Sequence, residues 1–155
     1  MRRLTVLAVL GATACGGGGP RPGAPAPQSM QATVTQFLTA VKANNLARMG
    51  QLWGTDKGPA AASMDPTELS QRLQVIQRYW THIGARIVEG PLAVPGNERV
   101  HMFRIELQRS NCARVVPLDV IETRNGGWVV FDVHLEAVGN PMMACPPGTA
   151  TGTRP

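Results

Sequence analysis

The chain is poor in aromatic residues, cysteines and lysines. Aromatic residues make up 5% of its 155 residues, three residues are cysteines, and the 15 basic residues are nearly all arginines. Beyond Arg2 and Arg3 the arginines stand singly, without a basic run or an aromatic-interleaved patch, so the signature of a nucleic-acid-binding protein is missing. A chain of this length buries a core without metal or dense disulfides. We therefore expect one domain with short appendages.

Common catalytic and metal-binding motifs are missing too. The sequence contains no His-Glu-x-x-His, no Gly-x-Ser-x-Gly, no Cys-x-x-Cys and no Ser-His-Asp spacing. Gly54–Gly58 lacks the Gly-Lys-Ser/Thr ending and the preceding strand of a phosphate loop, so we interpret it as a surface loop. We therefore predict no catalytic residue, no cofactor and no metal.

The first fifteen residues have the order of a bacterial export signal. Met1–Arg3 is cationic, and Leu4–Gly11 is an apolar run too short to span a bilayer. Ala12–Cys15 resembles a bacterial lipobox, with alanine where leucine is usual at its first position. The resemblance implies cleavage after residue 14 and acylation of Cys15, which would anchor the protein to the lipid bilayer. The alternative is an ordinary secretory signal cleaved at the same place, which leaves a free cysteine.

Residues 15–27 read as a tether. Gly16–Gly19 is flexible, the alternating prolines of Pro20–Pro27 keep the chain extended, and neither stretch can build a core. By analogy with enterobacterial sorting, a glycine rather than an aspartate after the lipidated cysteine favours the outer membrane over the inner one. We expect a lipid-anchored protein of the bacterial cell envelope that faces the periplasm.

Three helices are predicted before the strands. Ser29 is the N-cap of the first helix, which runs to about Asn44 with a single apolar stripe. A short second helix ends at Gly54. Asp65–Glu68 combines an N-cap, a proline at the first helical position and a capping-box glutamate, so a third helix should run from there to Gly84. Its predicted core stripe consists of Leu69, Leu73, Ile76, Trp80 and Ile83.

The second half of the chain alternates as an antiparallel sheet does. Ala85–Val94 reads as a strand interrupted at Gly90-Pro91, and Arg99–Arg109 reads as a second strand. Cys112–Val138 holds two more strands around Asn125-Gly126, a dipeptide that suits a two-residue hairpin turn. The predicted fold is α+β, with N-terminal helices packed on a curved four-stranded antiparallel sheet.

The register of the last hairpin follows from its apolar pattern. If Arg124 pairs with Gly127, Val120 faces Phe131 and the apolar residues share one face of the sheet. A loop with an odd number of residues would shift the pairing and scatter the apolar set over both faces. We therefore favour the even register.

Helices followed by a long antiparallel meander resemble the nuclear transport factor two-like superfamily, a cystatin-like α+β cone. The resemblance covers the domain over residues 28–138 and rests on element order and on a first helix ending in Asn44-Asn45. It implies a curved sheet wrapped around helices, with a pocket between them. Members include ketosteroid isomerases, polyketide cyclases, dehydratases and many non-catalytic binding or assembly domains, so the fold alone implies no particular chemistry.

The candidate lining of that pocket is Trp53, Tyr79, Trp80 and His82. Ketosteroid isomerases use a phenol to stabilise an enolate and a carboxylate to move the proton. That match fails here, because the first predicted helix has no tyrosine and the inner sheet face has at most Glu89 as an acid. We interpret Tyr79 and His82 as half-buried structural residues.

Asp119, Asp132 and His134 form a second candidate group, in line with Glu136 on the polar face of the hairpin. The even register sets the two aspartates directly opposite each other, as in acid–base sites where like charges raise one pKa. Arg104 on the neighbouring strand would neutralise the pair. We interpret the group as a solvated cross-strand charge network.

Cys112 and Cys145 are predicted to form a disulfide. Cys112 lies beside the predicted end of the last strand at Val138, and the tail over residues 139–155 can fold back before it becomes disordered. The oxidising periplasm favours the bond. Metal binding together with His134 is the alternative, although no fourth ligand is clustered with these residues.

Three functions remain open. We favour non-catalytic binding of a small apolar ligand or an envelope protein, because of the lipobox, the tether and the missing catalytic set. A small isomerase or dehydratase would need a cavity that holds Tyr79 or His82 together with a carboxylate. An envelope structural or assembly subunit would pair through its polar sheet face, as a homodimer or with a partner.

Overall fold

A computed structural model describes residues 26–110 and 112–141. The predicted signal, most of the tether and Cys145 lie outside these residues. The helices and strands follow in this order: α1 (Met30–Lys42), α2 (Leu46–Leu52), β1 (Gly54–Thr55), β2 (Gly58–Pro59), a 3-10 turn (Ala60–Ala62), α3 (Pro66–Trp80), β3 (Gly84–Val94), β4 (Asn97–Gln108), β5 (Ala113–Glu122), β6 (Trp128–Asp132) and α4 (Leu135–Val138).

The main sheet has four antiparallel strands in the order β3-β4-β5-β6, with the helices packed on one face. The predicted α+β class is confirmed. The stretch interpreted as a loop after Gly54 contains the small β1–β2 ribbon and the 3-10 turn. The register of β3 against β4 shifts around Gly90-Pro91, where the sequence predicts an interruption.

Both predicted helix starts are confirmed. The Ser29 hydroxyl accepts a hydrogen bond from the Ala32 backbone N–H at 3.2 Å, and Asp65 Oδ1 accepts two from the first turn of α3, at 2.9 and 3.0 Å. The predicted end of α3 at Gly84 is wrong. The helix ends at Trp80, because the Ile83 backbone N–H already bonds the carbonyl of Gln108 at the end of β4, at 2.8 Å. Ile83 is consequently 63% exposed, so its predicted place in the core stripe is also wrong.

The core lies between the sheet and α1, α2 and α3. Its largest side chains, Trp80, Phe37 and Phe103, are all fully buried. The indole N–H of Trp80 donates a hydrogen bond to the Val133 carbonyl at 2.8 Å, which ties α3 to the chain after β6. Trp80 therefore occupies the space between helix and sheet that the resemblance implies for a pocket.

The predicted register of the last hairpin is wrong near its turn. The Thr123 backbone N–H bonds the Gly127 carbonyl at 3.0 Å, and Gly126 and Gly127 both have positive φ, at 78° and 80°. Two adjacent glycines tolerate this backbone at no steric cost, so they build a loop with an odd number of residues. Val120 therefore pairs with Val130 instead of Phe131.

A bulge then restores the predicted pairing of Asp119 with Asp132. Phe131 is the extra residue of the bulge, as expected where two residues oppose one. The predicted continuation of this strand to Val138 is wrong, since β6 ends at Asp132 and α4 begins three residues later. His134 makes the turn between them with a left-handed backbone, at φ 41°.

Candidate functional site

The four residues predicted to line one pocket lie in different places. Trp80 is fully buried in the core, and Tyr79 is partly buried against it, with its backbone carbonyl accepting a hydrogen bond from Arg109. Trp53 and His82 line two separate grooves. The described part of the chain therefore does not assemble these four side chains into one cavity.

A groove of about 420 Å³ lies between α3 and the junction of β6 with α4, and is called here the apolar groove. Its apolar lining is Trp53, Val75, Ile76, Phe131, Val133 and Leu135. Val75 is 49% exposed and Phe131 is 39% exposed, although both are large hydrophobic residues. The groove thus presents apolar side chains to solvent beside a densely packed core.

Local backbone features create the apolar groove. The bulge in β6 turns Phe131 away from the core, while Val130 before it and Val133 after it are buried. The left-handed backbone of His134 then leads into α4, which contacts α3 and β5 and contributes Leu135 to the groove wall. Trp53 reaches the same place because it bridges the free edge of β6 at Val130.

Four polar residues beside this groove form what we call the carboxylate–histidine cluster: Asp119, Asp132, His134 and Glu136. His134 Nε2 lies 3.0 Å from Asp119 Oδ2, and its Nδ1 lies 3.3 Å from Glu136 Oε1 and 3.9 Å from Asp132 Oδ2. The His134 backbone N–H also donates to Asp132 Oδ1 at 3.0 Å. One imidazole therefore faces three carboxylates.

This cluster differs from the solvated network that the sequence predicts. Asp119 is buried, with 9% of its surface exposed, and its Oδ1 has no hydrogen-bond partner among the described residues. Arg104, predicted to neutralise the aspartates, instead pairs with Glu89 at 2.9 Å. Burial alone would lower the pKa of His134, but the hydrogen bond to Asp119 and the charges of the nearby carboxylates outweigh it and raise that pKa.

A second groove of about 420 Å³ separates α1 from β3. His82, Lys42 and Arg86 contribute its ionisable groups, and no carboxylate is among the described residues that line it. Burial is the main cause that lowers the pKa of His82, whose Nδ1 lies 2.7 Å from the Trp80 carbonyl. The side chain of Arg86 is already held by Glu106 through two hydrogen bonds of 2.8 Å. The proton-transfer pair that an isomerase needs is not assembled here.

The sequence interpretation missed Phe131, Val75 and Leu135 as residues of a surface site. The available signal was the adjacent pair Gly126-Gly127, which permits an odd loop and hence a bulge. Without that bulge, Phe131 belongs to the apolar face of the hairpin and gives no sign of exposure.

Comparisons with protein-family models, with curated proteins and with solved structures found no match. Within the described ranges, no group of three histidine, cysteine or acidic residues could hold a metal ion. No helix of those ranges is long and apolar enough to cross a membrane. Cys112 is described but Cys145 is not, so their disulfide remains a prediction.

Proposed function

We propose that the protein is a lipid-anchored, periplasm-facing envelope protein that binds an apolar segment of another envelope protein in the apolar groove. The observation that carries this proposal is the exposure of Phe131 and Val75 in a groove beside a fully packed core. Complete burial of an exposed large hydrophobic side chain contributes about 1.5–3 kcal/mol, so covering the part of Phe131 and Val75 that is still exposed contributes a fraction of that and favours association.

A protein segment fits the described residues better than a small ligand held inside the cone. Trp80 and Phe37 fill the space between helices and sheet, so the described residues leave no enclosed pocket for a ligand there. The apolar groove lies at the surface, where side chains of a partner can enter it. Membership of the nuclear transport factor two-like superfamily is part of this proposal, and the order of helices and strands supports it.

The lipid anchor is the other part of the proposal. Acylation of Cys15 would hold the domain at the membrane by a tether of about a dozen residues, of which the extended stretch Pro20–Pro27 alone spans about 25 Å. A partner in the same membrane would then meet the groove at a high effective concentration, so a modest groove suffices for binding.

Site-specific photo-crosslinking in cells tests the binding proposal. A photoreactive amino acid at Val75 should give a discrete adduct, and Phe131→Asp in the same chain should abolish that adduct. The matched control is position 115, a valine of similar exposure (43%) on β5 that does not line the groove. Equal adducts at both positions, no adduct at Val75, or an adduct with a second copy of this chain would contradict the proposal.

A further inference from the structure

The rim of the apolar groove carries three charged side chains: Arg72, Asp132 and Glu136. Arg72 already has an internal partner, since its guanidinium lies 2.6 Å from Glu68 one helical turn earlier. Its charge is therefore largely balanced within α3. The electrostatic character of the rim depends on the other two residues.

Asp132 and Glu136 belong to the carboxylate–histidine cluster, and their side chains are 54% and 78% exposed. With Asp119 they place three carboxylates around His134, so the cluster is net negative even when the imidazole is protonated. In the part of the chain that the structure describes, no lysine or arginine forms an ion pair with these carboxylates. Arg114 donates to backbone carbonyls at the far end of α4, at 3.3 and 3.4 Å.

The negative rim contrasts with the chain as a whole, whose formal net charge is +5 with 10 acidic residues in all. Three of those ten surround a single imidazole next to exposed apolar side chains. Complementary charge at the edge of an interface selects partners and speeds their association, while apolar contacts at the centre supply most of the affinity.

Resting on the proposed function of the apolar groove, we infer that its partner segment carries a lysine or arginine beside its apolar anchor. The apolar side chain packs on Phe131 and Val75, and the cation lies over Asp132 and Glu136. Phe131 and Asp132 are adjacent in the chain, so anchor and cation lie within about one helical turn of each other in the partner. Arginine fits best, because its planar guanidinium can donate to two carboxylates at once.

Selection from a phage-displayed library of random peptides tests this inference, with the full-length protein immobilised from detergent micelles. The wild type should enrich peptides in which lysine or arginine lies within about four positions of a large apolar residue. Glu136→Lys should remove this basic preference. The side chain of Glu136 is 78% exposed, so the substitution leaves the core intact. Glu98→Lys is the control, because it makes the same charge change at an exposed position near the start of β4 that does not line the groove.

Affinity measurements on one selected peptide complete the test. Glu136→Lys should weaken its binding by about 5–10-fold at low salt and by less at high salt, as rim charges do. Asp132→Asn is the second variant, since an asparagine still accepts the His134 backbone N–H and keeps α4 in place.

The outcomes separate the two proposals. Selection of apolar peptides without a basic preference, or an affinity unchanged by both charge variants, overturns the inference and leaves the groove as a binding site. If Val75→Asp and Phe131→Asp leave the selected peptides bound as tightly as before, the groove is not the binding site and the proposed function fails.

Discussion

At the residue scale, the pKa values of two buried or partly buried histidines are shifted in opposite directions, although burial alone would lower both. Burial lowers the pKa of His82, and the neighbouring carboxylates raise the pKa of His134. The stabilising contribution of His134 is fully present below the pKa of an unfolded histidine and is lost as pH rises through its folded pKa. His82 has the opposite sign, since the unfolded state binds more protons; its contribution is lost as pH falls below the unfolded value.

We therefore expect His134→Gln to flatten the alkaline side of the pH–stability profile and His82→Gln to flatten the acid side. The measurement is the free energy of unfolding in urea between about pH 5 and pH 9, around the ordinary histidine pKa. NMR titration of the wild type should show His134 losing its proton at a higher pH than His82. The reverse order, or the same pH profile in both variants, would show that the carboxylates do not control His134.

At the element scale, Gly90 fixes the edge strand β3 against β4. It has φ 128°, and a Cβ added there would lie 2.7 Å from the ring of Phe103 and 3.0 Å from the Met102 carbonyl. Phe103 is fully buried and cannot move aside. Gly96 in the β3–β4 turn also has positive φ, at 80°, but a Cβ there would meet nothing within 4 Å.

These two glycines make a matched pair for a stability experiment. Gly96→Ala should cost about 1–3 kcal/mol of unfolding free energy, through backbone strain alone. Gly90→Ala should cost a further 1–3 kcal/mol or so, since alanine tolerates φ 128° less well than φ 80° and the added methyl group also overpacks the contact with Phe103. Denaturant unfolding followed by tryptophan fluorescence measures the difference. Equal losses in the two variants would mean that β3 shifts to accommodate the methyl group.

Element starts could be predicted from the sequence, whereas element ends and register could not. Ser29 and Asp65 predict helix starts because an N-cap is a local interaction, between a side chain and the backbone of the helical turn that directly follows it. The end of α3 depends on a hydrogen bond between Ile83 and Gln108, which are 25 positions apart in the sequence. No local pattern contains that information.

In the candidate site, too, some features could be predicted from the local sequence and others could not. The pairing of Asp119 with Asp132 was predicted from alternation and is confirmed, but by way of a bulge that the sequence interpretation did not include. The exposure of Phe131 follows from that bulge. The turn at His134 follows from the end of β6 at Asp132. The partner of Arg104 also could not be predicted, because Glu89 reaches it through the irregular register of β3.

At the scale of the whole molecule, the proposed function joins a described domain to an anchor that lies outside the described residues. The α+β domain supplies the apolar groove, and residues 15–27 would set how far that groove stands from the membrane. The two parts are independently testable, since binding in the apolar groove does not depend on acylation of Cys15, and acylation does not depend on the groove. Membership of the nuclear transport factor two-like superfamily remains a prediction at this scale.

The intact mass of the mature protein tests whether Cys15 carries a lipid anchor. Under the proposed lipid anchoring, processing would remove residues 1–14, so the chain should begin at Cys15 and carry two or three acyl chains, which hold a protein stably at a membrane where one chain binds reversibly. Cys15→Ala should abolish the added mass and release the domain from the membrane fraction, while peptide binding in the apolar groove stays unchanged. A Cys112→Ala variant should keep the acyl mass and serves as the control for loss of a cysteine. A mature chain that begins at Cys15 without added mass would establish an ordinary secretory signal, and the groove would then meet its partner without the concentration that a shared membrane provides.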